Sequence, residues 1–251
     1  MKFLRLKTVL VSLLLITGLI FFSAAQGLAL PTLPTLQLDI AGGTYDNSTQ
    51  TIVSTGKIFT LYAYLSSNLY NTLTDTYYIS AAISPQISLG GANIGSFNFN
   101  GTTINATSDM TYGVPPLEAI TSLQGWDAGD LPKHGIFPTY FSEFDFQFSS
   151  SNQISSYNTM QRAILGSSIP ASGTGMYYAA FTIDTSLLDP NYVIHFDLYN
   201  TKLKKGGDID VTQFAPFSHD AESKHQVPEP STVLLLGSGL VGLWASRRFF
   251  V

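Results

Sequence analysis

Cysteine is absent from all 251 residues of this chain. No disulfide can brace the fold, and no thiolate can hold zinc or serve as a nucleophile. Charge is sparse, with Asp, Glu, Lys and Arg making up 12% of the residues. Only four histidines occur, scattered and without H-E-x-x-H or a comparable zinc spacing. There is no G-x-S-x-G elbow of the kind that exposes a hydrolase serine. Helical periodicity is nearly missing, and no internal repeat is visible.

Basic residues are scarce where they would matter for nucleic acid. Between residues 30 and 226 there are seven Lys/Arg and sixteen Asp/Glu, a net charge near −9 against −5 for the whole chain. Such a segment repels polyanions, so nucleic acid and anionic membrane surfaces are excluded as partners of this part. Its Tyr, Ser, Thr and Asn content suits an exported protein that meets cations or neutral polysaccharide. About 195 residues remain between the two ends, enough to bury roughly 70% of the unfolded surface in one core.

The missing basic residues are concentrated at the termini. Lys2, Arg5 and Lys7 precede an apolar run from Val9 to Phe22, followed by Ser23-Ala24-Ala25 and Gly27-Leu28-Ala29. This is the order of a secretory signal peptide with small-residue cleavage sites. At the other end Val227-Pro228-Glu229-Pro230-Ser231 leads into an uncharged segment from Thr232 to Ser246, closed by Arg247 and Arg248. As a helix that segment would be about 22 Å long, and it needs its flanks to cross a hydrocarbon core of ~30 Å. The arginines would stay on the cytoplasmic side.

The order of Pro-Glu-Pro triplet, apolar segment and basic end closely resembles the PEP-CTERM sorting signal of Gram-negative surface and exopolysaccharide-associated proteins. The resemblance implies an exosortase, a membrane transpeptidase-like protease, as partner and a membrane-held precursor before processing. It implies an address at the cell envelope, outer surface or extracellular biofilm matrix. It gives no activity. The expected organisation is a signal peptide at 1–29, an extracellular domain at 30–222 and the sorting signal at 223–251.

Between the ends, short strands alternate with turns. Leu36 to Ile40 breaks at Gly42-Gly43, and Ile52-Val53 follows. Ile58 to Leu65 carries Phe59, Leu61, Ala63 and Leu65 on one face, and two apolar faces place it inside a sheet. Further strands are predicted at Tyr77 to Ile83, Gln86 to Leu89 and Ser96 to Phe99. Asn100 to Lys133 reads as a long irregular stretch. Tyr140 to Phe148 alternates, with Phe144, Phe146 and Phe148 inward and Glu143, Asp145 and Gln147 outward. Ser149 to Ser156 reads as a linker, and Thr159 to Leu165 as one or two helical turns. Strands follow at Met176 to Ile183 and Tyr192 to Tyr199, the second with Ile194, Phe196 and Leu198 opposite His195, Asp197 and Tyr199.

This spacing predicts an all-β, antiparallel β-sandwich, Ig-like or jelly-roll-like, flanked by a signal helix and a C-terminal transmembrane helix. Gly43-Thr44-Tyr45-Asp46, Phe59-Thr60-Leu61-Tyr62 and Val193 to Ala221 resemble the choice-of-anchor N family. Members of such families share an extracellular domain and differ in their C-terminal anchors, and the resemblance brings no catalytic residues with it.

Few constellations suggest chemistry. Ser218-His219-Asp220 has the residue types of a hydrolase triad, but neighbours in an extended segment point to different sides. Glu143 and Asp145 share a strand face, as a glycosidase pair would, or simply form a solvated acidic face. Asp208 and Asp210 can chelate calcium if other oxygens complete the shell, with Asp39, Asp46 or Asp220 as contributors, or else they are two solvated acids in a turn. No other cofactor is implied. Tyr62, Tyr64, Tyr77, Tyr78, Tyr177, Tyr178 and Tyr199 either stack on sugar rings or pack the fold. The expected function is non-enzymatic, structural or adhesive in an exopolysaccharide matrix. The alternative is an exported hydrolase acting on that polysaccharide.

Overall fold

A computed structural model describes residues 33–114, 138–200 and 214–224. The expected signal helix, the expected transmembrane helix and the whole stretch from Pro115 to Lys133 lie outside those residues. Among the described residues no helix is long and apolar enough to cross a membrane.

Strand β1 (Leu36–Ile40) pairs with β4 (Ile58–Leu65), and β4 pairs on its other side with β11 (Gly175–Asp184). The sheet continues through β6 (Ser96–Phe99) to β7 (Thr102–Asn105), while β10 (Gln153–Ser155) pairs with β11. The second sheet runs β2 (Thr44–Asp46), β3 (Thr51–Val53), β13 (Ala221–Glu222), β12 (Val193–Asn200), β5 (Tyr77–Ser84), β9 (Thr139–Phe146) and β8 (Thr111–Gly113).

The alternation read from the sequence decides which face of each strand is buried. Phe59, Leu61, Ala63 and Leu65 of β4 share one hydrophobic core with Ile79, Ala81 and Ile83 of β5 and Ile194, Phe196 and Leu198 of β12. The two sheets therefore face each other across that core. Aromatic rings span the gap: Phe59 meets Phe196 edge-on at 6.2 Å, and Phe99 stacks on Phe144 at 3.8 Å. With no disulfide present, this apolar interleaving is the main source of stability.

Helix α1 (Thr159–Leu165) forms where the sequence predicts it. Asn158 caps its start by accepting a hydrogen bond from Gln161 N at 2.9 Å, and Gly166 ends it with φ of 62°. Seven residues are too few for a stable isolated helix, so tertiary contacts hold it. Gln37 of β1 accepts from Thr159 N at 3.0 Å, and Asp39 receives the Arg162 guanidinium. Those contacts explain why β1 is buried on both faces, polar residues included.

Several expectations change. The pairing is not wholly antiparallel, because β13 runs parallel to β3 while pairing antiparallel to β12. The returning chain fills the slot between β3 and β12, which run in opposite directions, so it must lie parallel to one of them and antiparallel to the other. Gln86 to Leu89 forms no strand; Gly90-Gly91 turns the chain there, with Gly91 N bonded to Ser88 O at 3.0 Å. Inside the stretch read as irregular, β7 and β8 form, and β10 forms inside the expected linker. These pieces lack strong apolar alternation and gain their order from edge pairing with β6, β9 and β11.

Candidate functional site

The outward face of the β13–β12–β5 part of the second sheet gathers titratable groups. Because Ile194, Phe196 and Leu198 of β12 enter the core, His195 and Asp197 project to the opposite side. Pairing with β13 sets Glu222 opposite His195. Asp220 stands just before β13, its carbonyl accepting from Ile52 N at 3.0 Å.

His195 lies at the centre. Its Nε2 is 3.4 Å from Asp197 Oδ1 and 3.9 Å from Asp220 Oδ2, and its Nδ1 is 3.5 Å from Glu222 Oε2. One ligand atom from each of His195, Asp197 and Asp220 lies within 4.8 Å of the others. Ser80, opposite Asp197 on β5, donates its hydroxyl to Asp197 Oδ2 at 2.8 Å and so orients that carboxylate. Asp220 is 3% exposed, and its Oδ1 is buried without a hydrogen-bond partner.

The electrostatics follow from this crowding. Burial pulls the His195 imidazole toward its neutral form, but Asp197, Glu222 and Asp220 together outweigh burial and hold its pKa well above the ordinary value. Burial pushes the Asp220 carboxyl well up, the Asp197 charge adds to the rise, and His195 opposes it. Tyr45 is raised by burial and then by the charge of Asp220.

The hydrolase constellation behaves differently from its sequence reading. Phe217–His219 is a 3-10 turn rather than an extended segment, so Ser218 Oγ does reach His219 Nδ1, at 2.8 Å. The relay stops there. His219 Nε2 is buried without a partner, and burial lowers the His219 pKa to about 4. A triad needs an acid on the second ring nitrogen, and the neighbouring Asp220 carboxylate faces His195 instead.

Glu143 accepts the Tyr199 hydroxyl, while Asp145 is exposed further along β9. Asp39 is taken up by Arg162, Tyr157 and the Ile40 amide, and Asp46 closes a local turn with Ser48 at 2.7 Å. Neither is free to complete a calcium shell. Asp208 and Asp210 lie outside the described residues, as do Val227, Pro228, Glu229, Pro230, Ser231, Arg247 and Arg248. Of the seven tyrosines, Tyr64, Tyr77 and Tyr199 are fully buried, which removes them as sugar platforms. Tyr62 stacks on Tyr64 at 5.9 Å and meets Tyr178 edge-on.

The His195 cluster was half visible in the sequence. His195-x-Asp197 and Asp220-x-Glu222 each place two residues on one side of an extended chain. That the two pairs are adjacent depends on the β12–β13 register.

Among the described residues the architecture is mostly β, two sheets with one short α-helix. Its tail assigns it to a sorting class: residues 226–248 match the model of the PEP-CTERM protein-sorting motif. The motif marks an exported protein, processed by an exosortase and delivered to the bacterial cell envelope or surface. No curated protein and no solved structure matches the chain.

Proposed function

We propose that this chain is a non-enzymatic structural or adhesive component of an exopolysaccharide matrix around a Gram-negative cell. The observation that carries the reading is the sorting motif, which sends the chain to the surface where such a matrix lies. The two facing sheets are read as a β-sandwich of the choice-of-anchor N type, a rigid module displayed and then released or retained by its tail. A core built from apolar and aromatic side chains, without disulfides, supports a scaffold role. The sealed His219 ring and the Tyr199-bound Glu143 support the absence of hydrolase chemistry.

The experiment is co-sedimentation of the exported protein with purified exopolysaccharide, run alongside a reducing-end assay. Retention in the polysaccharide fraction without new reducing ends is expected. Release of reducing ends would make the protein a matrix hydrolase. Absence from the polysaccharide fraction would remove the matrix role and leave only the envelope address.

A further inference from the structure

We propose that His195, Asp197 and Asp220 bind one divalent transition-metal ion of the zinc or manganese type, with Glu222 positioning the histidine. Three observations converge. The first is spacing. Metal–ligand bonds of ~2.1 Å set tetrahedral ligand atoms about 3.4 Å apart, and His195 Nε2 lies 3.4 Å from Asp197 Oδ1 and 3.9 Å from Asp220 Oδ2.

The second is the arrangement around the ligands. A metal-binding imidazole commonly donates its other N–H to a carboxylate, which fixes tautomer and ring orientation. Here Nε2 faces the two aspartates while Nδ1 faces Glu222 Oε2 at 3.5 Å. Ser80 donates to Asp197 Oδ2 at 2.8 Å and so orients the carboxylate, with Oδ1 3.4 Å from His195 Nε2.

The third is the orphaned oxygen. Asp220 Oδ1 is buried and receives no hydrogen bond. Among the described residues no lysine or arginine pairs with this carboxylate, only His195. A buried carboxylate oxygen without a donor is costly. A cation seated on Asp220 and reaching both its oxygens supplies the missing partner.

The donor set selects the metal. One imidazole nitrogen and two carboxylates suit zinc, manganese or iron(II), whereas calcium seeks six to eight oxygens. The His195 and Asp197 side chains keep 22% and 19% exposure, so water can complete the shell from the open side. The occupant is thus a metal ion with three protein ligands.

The test uses the full chain, purified in detergent and stripped with chelator. Titration with Co²⁺ should give one equivalent bound with ligand-field absorption, displaced by Zn²⁺, and Zn²⁺ should raise the melting temperature by several degrees. Asp197→Asn, Asp220→Asn and His195→Gln should each abolish the absorption while far-UV circular dichroism stays that of a sheet protein. Glu222→Gln should retain one equivalent but weaken binding roughly 10–100-fold. Asp208→Asn/Asp210→Asn should bind as the wild type does. No Co²⁺ or Zn²⁺ binding to the wild type overturns the proposal and leaves His195 as an internal cation. Binding unchanged in His195→Gln, or lost in the Asp208/Asp210 variant, also overturns it. If Asp220→Asn or Asp197→Asn fails to fold, the His195→Gln titration alone decides.

Discussion

Arg162 and Asp39 are 123 positions apart, and the Arg162 Nε–H donates to Asp39 Oδ2 at 2.8 Å in a fully buried, two-pronged pair. The guanidinium also donates to the carbonyls of Gly43 and Ile40, each at 3.2 Å, while the Tyr157 hydroxyl donates to Asp39 at 2.9 Å. The arrangement fastens the short helix to the face of β1 turned away from the core. Burial raises the Asp39 carboxyl, and Arg162 and Tyr157 oppose that rise.

Breaking this pair from one side leaves a buried charge without its counterpart. Arg162→Met is expected to cost about 3–5 kcal/mol, measured by urea unfolding. Asp39→Asn/Arg162→Met should recover part of the loss. A single variant as stable as the wild type would show that the pair does not anchor the helix.

The contact between Phe59 and Phe196 reports on how the two sheets pack. Phe196→Ala should lose about 3–5 kcal/mol, because the ring is fully buried and the surrounding strands cannot collapse into its space. A double-mutant cycle with Phe59→Ala should give a coupling of about 0.5–1.5 kcal/mol. Strict additivity would mean that the rings are independent.

Gly95 has φ of +102°, and a Cβ there would lie 2.1 Å from the Leu187 carbonyl oxygen. Both the backbone conformation and the close approach exclude a side chain. Gly95→Ala should lower stability by at least about 1–3 kcal/mol in thermal melts, whereas substitution at open Gly56 should change it little. Equal effects at the two positions would refute the steric account.

The sorting motif makes a cellular prediction. Pro228→Ala or Glu229→Ala should leave an unprocessed, membrane-retained precursor on immunoblots of fractionated cells. Maturation identical to that of the wild type would reduce the tail to a plain anchor.

Ser218 contacts His219 but lacks the rest of a relay. Serine-directed acylating probes should therefore leave the wild-type protein unlabelled, and Ser218→Ala should cost only about 0.5–1.5 kcal/mol for the lost hydrogen bond. Stoichiometric labelling at Ser218 would restore the hydrolase reading.

Local patterns determined a good deal of this protein. Period-two alternation in Ile58–Leu65 and in the strand carrying His195 set which side chains enter the core, because successive residues of a strand face opposite ways. Asn158 and Gly166 bracketed the helix through capping chemistry that acts within a few residues. The tail motif could be read directly, since a protease recognises a short linear segment.

Pairing between distant segments was decided only in the tertiary structure. Ala221–Glu222 runs antiparallel to β12 and parallel to β3, and nothing in two residues encodes that choice. The same pairing brings Asp220 and Glu222 to His195, and the helix claims Asp39, which otherwise reads like any other aspartate. Such charges acquire their roles from burial and from partners more than twenty residues away in sequence. That environment exists only once both sheets have closed over the core.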